Sequence, residues 1–144
     1  MLKTDTEYLD IVDLISERHL LLRKHTENLW NENSDIYLSN SEWVILSKVY
    51  EKQKTTISYV TKHVDITRQA THKFIKRLDE KGLVEIKQLE NNKKQKSIEL
   101  TTLGKECYEK NEALKAILEK EIANKVGKEK LIQLKEILEM DWGL

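Results

Sequence analysis

The sequence predicts a mainly α-helical chain with one small β-hairpin, and three observations carry that reading. There is no proline and there are only four glycines in 144 residues, so little interrupts helices or supplies irregular loops. Apolar residues recur three and four apart along most of the chain, which is helical spacing. Only one pair of segments, "LVEIKQL" and "SIEL", reads as short alternating strands, and the polar run "ENNKKQK" between them predicts a hairpin with a long tip.

The elements follow in order. A first helix is expected from about Thr6 to Asn31, with Leu9, Val12, Ile15, Leu22 and Leu29 as its apolar positions. Leu20, Leu21 and Leu22 make it apolar almost all round, which calls for burial on more than one side. The stretch "LSNSEWVILSKVY" opens a second helix, where Ser39 as N-cap and Glu42 three residues later form a capping box. Its buried stripe is expected to be Trp43, Leu46, Val49 and Tyr50. "TTISYVTKHV" is a short third helix capped by Thr56.

After "VDI", the segment "TRQATHKFIKRLDEKG" gives a fourth helix. Thr67 is its cap and Gly82 its left-handed stop. Two helices about three residues apart make a helix-turn-helix. Asp65, where such turns often use glycine, is expected to tolerate the left-handed region. The apolar stripe is Ile66, Ala70, Phe74 and Leu78, with Ile75 beside it. Thr71 falls on that side and is expected to be half-buried. The other side carries Arg68, Gln69, His72, Lys73 and Lys76, all hydrogen-bond donors and none a carboxylate.

Beyond the hairpin, "TTLGKECYEKNEALKAILEKEIANKV" is a long amphipathic helix broken by Gly127. "KEKLIQLKEILEMDW" is a last helix with Leu131, Leu134, Leu138 and Trp142 on one side. The organisation is therefore a helix over 1–34, a winged helix-turn-helix over 35–100, and helices over 101–144. The terminal helices carry large apolar stripes with little in so short a chain to bury them, so two subunits are expected to pair through them.

Charge and composition narrow the function. The chain holds 25 basic and 25 acidic side chains. Residues 56–104 carry 10 basic and 6 acidic, a net +4 between flanks of −3 and −1. A local basic surface between acidic flanks suits a directed anionic partner better than general polycation binding. No apolar run spans a bilayer and no secretory signal opens the chain, so no membrane partner is expected. One cysteine excludes an intrachain disulfide, and a cytoplasmic setting is expected. No phosphate-cradling glycine loop or nucleophile motif is present, so the chain does not read as an enzyme, and no cofactor is expected.

In "LSNSEWVIL", "TRQATHKFIKRLDEKGLV" and "IELTTLG", and in the spacing from Gly82 through the hairpin, the sequence resembles the MarR family of bacterial transcriptional regulators. The resemblance covers nearly the whole chain. It implies a homodimer built from the terminal helices, with each fourth helix in a major groove of double-stranded DNA and each wing beside the minor groove. A near-palindromic operator, repression, and release by a small aromatic effector are the expected mode of action.

On that reading Arg68 and Lys73 suit guanine, Gln69 suits adenine, and His72 faces DNA. Lys76, Thr56, Ser58 and Thr67, with Lys93, Lys94 and Lys96 on the wing, suit phosphates or the backbone. The family's Asp-x-Arg wing tip is replaced by Asn92 and Lys94, and lysine lacks arginine's flat fork, so a sharper minor-groove reading is not expected.

The remaining candidates have plainer readings beside them. Arg23, Trp43 and Tyr50 are candidates for an effector cleft, while Trp43 and Tyr50 also suit core packing. Cys107 is expected to be a buried structural residue rather than an oxidant sensor. His19 and His25 are six apart, too far round a helix for one metal, and no metal site is expected. The alternative from another class is a winged helix that docks a protein partner and reads no DNA.

Overall fold

The structure, a computed structural model, describes residues 9–90 and 92–144, with residues 92–94 described in their backbone alone. The order of elements is α1 (Ile11–Asn33), α2 (Asn40–Lys52), β1 (Lys54–Thr56), α3 (Ile57–His63), α4 (Arg68–Glu80), β2 (Val84–Leu89), β3 (Asn92–Leu100), α5 (Thr102–Val126) and α6 (Lys128–Glu139). The chain divides into two compact units, Met1–Tyr108 and Glu109–Leu144.

Local chemistry sets the helix ends. Asp10 caps α1 by accepting from the Asp13 N–H at 2.9 Å, so that helix starts at Ile11; the start expected near Thr6 lies outside the described residues. The capping box at Ser39 and Glu42 is complete in both directions. Thr56 accepts from Tyr59 N–H at 3.0 Å and Thr67 from Ala70 N–H at 3.2 Å, which fixes the starts of α3 and α4. The turn between them needs no left-handed residue. Asp65 does not have positive φ; among the described residues the non-glycine one that does is Gln53, after α2, at +64°.

The core of the first unit lies where α2, α3 and α4 meet the sheet. Leu38, Ile45, Leu46, Val49, Val60, Leu78, Leu83 and Ile98 are fully buried. Two helical stripes differ from expectation. In α2 the buried positions are Glu42, Ile45, Leu46 and Val49, with Trp43 and Tyr50 only half-buried. In α4 they are Thr71, Ile75 and Leu78, and Thr71 is wholly buried because its hydroxyl donates to the Thr67 carbonyl at 2.9 Å. A polar side chain that satisfies itself on the preceding turn can sit at the centre of a buried face.

Glu42 does more than cap. Its carboxylate is 1% exposed and accepts from Lys81 Nζ at 2.6 Å, and the same ammonium donates to the Tyr37 carbonyl at 2.7 Å. The start of α2 is thereby held to the end of α4. Trp30 anchors α1 to this unit: its ring meets Trp43 edge-on at 4.9 Å, and its Nε1 donates to the Ile36 carbonyl at 2.7 Å. Glu27 accepts from Asn40 Nδ2 and from the Tyr37 hydroxyl, and the nearby Glu27 charge raises the Tyr37 phenol above its ordinary pKa.

The sheet has the order β1-β3-β2, all antiparallel. Strand β1 is absent from the sequence reading, since three residues carry no periodicity. It pairs Lys54 with Glu99 through Thr56 with Ser97. The hairpin also differs from a long open tip. Most of the polar run continues as β3, paired from Val84↔Leu100 to Gln88↔Lys96, with an irregularity before Leu89↔Asn92.

The hairpin's two ends are tied together. Helix α4 stops in a Schellman turn, with Leu83 N–H donating to Leu78 C=O, Gly82 N–H to Asp79 C=O, and Gly82 at φ +78°. From the far side of the hairpin, Thr101 donates its N–H to Leu83 C=O at 3.0 Å and its hydroxyl to Gly82 C=O at 2.6 Å. Its oxygen accepts from Gly104 N–H at 3.0 Å, capping α5. A Cβ on Gly104 would lie 2.1 Å from the Leu83 carbonyl oxygen. That close approach is why the sequence reads "TTLG".

In the second unit Gly127, at φ +102°, separates α5 from α6. Glu119 and Lys135 pair across them at 3.1 Å. Helix α6 ends at Glu139, so Trp142 lies beyond it, with its Nε1 donating to the Ile137 carbonyl. Leu134, Ile137 and Leu138 are about half exposed within the single chain, as are Leu20 and Leu21 of α1.

The Gly104 contact is testable. The opposing atom is a backbone carbonyl that cannot rotate away, so Gly104→Ala should lose about 1–3 kcal/mol of stability. A urea denaturation midpoint equal to wild type would contradict the packing described.

Candidate nucleic-acid interface

The candidate surface is built by α3, the turn at 64–67, α4 and the sheet. Thr67 sets the first turn of α4 so that Arg68 and Gln69 occupy its first two positions. Their backbone N–H groups fall among those a helix leaves without internal partners, at the positive end of its dipole. Arg68, Gln69, His72, Lys73 and Lys76 are all exposed.

These five do not form one stripe. At about 100° per residue, Gln69, Lys73 and Lys76 occupy the middle of the exposed arc, opposite Thr71, Ile75 and Leu78. Arg68 and His72 lie on its flank, about 40° apart and next to Ile75. That flank faces a cleft of about 220 Å³ between three elements. Ile57, Ser58 and Thr61 line it from α3, Arg68 and His72 from α4, and Gln95 and Lys96 from β3. Among the described residues no carboxylate lines it. Among the described residues, neither Arg68 nor Lys96 is paired with a carboxylate.

The hydroxyl groups divide their work. Thr56 and Thr67 accept at their helix N-termini through oxygen and keep the O–H to donate. Thr61 donates to the Ser58 carbonyl at 2.9 Å, so its oxygen is left as an acceptor. Thr61 and Gln95 belong to this surface and were missed from sequence. Thr61 sits one turn from Ser58 on a helix too short to show a stripe, and Gln95 falls in a run that reads as loop. The side chains of Asn92, Lys93 and Lys94 lie outside the described residues.

The other candidates are not gathered here. Arg23 is exposed on α1. Trp43 packs on Trp30, and Tyr50 stacks on Tyr108 with ring centroids 4.0 Å apart. His63 is held by the Tyr59 carbonyl and ring. Cys107 is buried, at 5% exposure. Among the described residues no group of three metal-ligating side chains forms, and no helix is long and apolar enough to cross a membrane.

Comparison with known proteins bears on the fold and the family. The MarR family model matches residues 38–96, from the end of the α1–α2 connection to the cleft lysine on β3. No curated protein matches the chain. Among solved structures, a cysteine-to-serine mutant of MarR from E. coli shares 20% identity at a TM-score of 0.79, covering 92% of this chain and 96% of that one. The same mutant in complex with operator DNA gives 21% identity and a TM-score of 0.66, over 90% and 96% of the two chains. NadR in complex with 4-hydroxyphenylacetate gives 22% identity and 0.67, over 92% of each. The winged helix-turn-helix over residues 38–96 thus matches the MarR family, and the chain as a whole shares the fold of these solved structures.

Proposed function

We propose that the protein is a sequence-specific DNA-binding transcriptional regulator that acts as a homodimer on a near-palindromic operator, in the cytoplasm and as a repressor. The observation that carries this reading is the middle of the exposed arc of α4. Gln69, Lys73 and Lys76 stand there with no carboxylate among them, on a helix whose opposite face is locked into the core. A protruding row of donors meets the acceptor-rich edges of guanine and adenine in a major groove. The DNA complex of the E. coli MarR mutant supports the same use of the fold.

In this reading Gln69 and Lys73 contact bases. Lys76, Thr56, Ser58 and Thr67 contact the sugar-phosphate backbone, as do the wing lysines Lys93, Lys94 and Lys96. Residues 1–34 and 101–144 supply the dimer contacts. The support is the exposed apolar surface of α1 and α6, including Ile11, Val12, Leu20, Leu134 and Leu138, each at least half exposed in the single chain. Release by a small aromatic effector follows from the fold's use in NadR, whose structure holds 4-hydroxyphenylacetate. Arg23, Trp43 and Tyr50 are the proposed contacts, and in this chain Trp43 and Tyr50 also serve α2 as packing residues.

A duplex selected from a random pool by the purified protein tests the DNA reading. Gln69→Ala and Lys73→Ala should each cost about 1–3 kcal/mol on the selected duplex. Both should change binding to a scrambled duplex far less. Equal binding of wild type to both duplexes would overturn the reading and favour a protein-docking winged helix.

The dimer is tested by sedimentation at micromolar concentration. Wild type should run at twice the 17.0 kDa chain mass. Leu21→Glu or Leu134→Glu should shift it toward the monomer, and a wild-type monomer would contradict the assignment.

A further inference from the structure

We infer that the cleft between α3, α4 and β3 is a seat for one DNA backbone phosphate, with Arg68 as its principal anchor rather than a base reader. The inference rests on the DNA-binding reading above and assigns a different role to one of its residues.

Shape separates base readers from phosphate anchors. Base edges are recessed on the floor of a groove, so a side chain that reads them must protrude from the middle of the exposed arc. Phosphates are the projecting part of the duplex, so a protein surface that grips one is concave. Gln69 and Lys73 fit the first description. Arg68 and His72 fit the second, because they turn toward α3 and β3 and line the wall of the cleft.

Chemistry points the same way. The cleft gathers the Arg68 guanidinium, the Lys96 ammonium, the Gln95 amide and the Ser58 hydroxyl, with His72 one turn beyond Arg68. An oxyanion can accept from all of these, and among the described residues no carboxylate competes for it. Neither cation is neutralised by a described acidic residue. The backbone N–H groups opening α4 add positive potential on the Arg68 side. A base edge would use two of these donors at most and would leave the Lys96 charge facing it without a match.

The cleft also gives the wing a task independent of its tip. Gln95 and Lys96 lie on β3 beyond the irregularity at Gln88 and Leu89, with Lys96 in register opposite Gln88. The sheet therefore positions them, whatever the tip residues do. The seat is completed only when α3, α4 and the wing are all in place, so a phosphate held there fixes the recognition helix in its groove.

The test pairs protein variants with chemically altered duplexes. Each phosphate of the selected duplex is replaced in turn by an uncharged methylphosphonate, and binding of the full-length wild-type protein and of Arg68→Ala is measured on each. Arg68→Gln serves as a second variant, and thermal melts check folding. Arg68→Ala should weaken selected and scrambled duplexes alike, by about tenfold, as for one charge-assisted hydrogen bond. One methylphosphonate position per half-site should weaken wild type by a similar factor and have almost no further effect on Arg68→Ala or Arg68→Gln. Lys96→Ala should show the same coupling at the same position.

The inference is overturned if Arg68→Ala instead couples to a guanine whose N7 is replaced by carbon, with sequence preference lost. It is also overturned if no phosphate couples to Arg68 while wild type still prefers the selected duplex. A wild type without such preference would bring down the underlying DNA reading as well, which separates the two failures.

Discussion

The winged unit depends on the knot where Leu83 and Gly82 meet Thr101 and Gly104. Helix α4 and strand β2 are joined through a Schellman turn that leaves two carbonyls pointing outward, and Thr101 takes up both of them. The same side chain then starts α5. One threonine thus fixes the end of the recognition helix, the base of the hairpin and the start of the next helix relative to each other. The absence of a side chain at Gly104 lets the segments approach closely enough for those bonds to form. Lys81, one residue before the turn, extends the knot to α2 through the buried Glu42. Removing a partner from a buried ion pair is more damaging than the pair is stabilising. Glu42 and Lys81 are therefore better viewed as fixing orientation than as a source of stability.

Most of the winged unit was legible because its signals are local. Ser39 with Glu42, Thr56 and Thr67 announce helix starts by residue type alone, and each caps as expected. Gly82 announced the end of α4 for the same reason. What was not legible depends on contacts between distant segments. Strand β1 exists because β3 offers it an edge, and three residues cannot signal that. Glu42 is buried because Lys81, 39 residues away, meets it. Thr71 shows that a polar residue can occupy the centre of a core stripe when the turn behind it accepts its proton.

The candidate surface was read at the level of residue types rather than of geometry. The sequence assembled Arg68, Gln69, His72, Lys73 and Lys76 as one donor face. The structure divides them, since the Ile75 side of the helix turns Arg68 and His72 toward α3 and β3. Periodicity alone distinguishes inside from outside. It cannot tell which flank of an exposed arc will meet a neighbouring wall, because that wall comes from another part of the chain. Thr61 and Gln95 went unnoticed for the same reason.

The most direct test of the account is amide hydrogen exchange on the full chain with and without a selected duplex. If the α4 surface and wing engage DNA as proposed, exchange should slow at the start of α4, across the first turn of α3 and along β2 and β3. The buried centre of α2, already protected in the free protein, should change little. Slowing confined to α1 and α6, with the first turn of α4 unaffected at saturating duplex, would contradict the account.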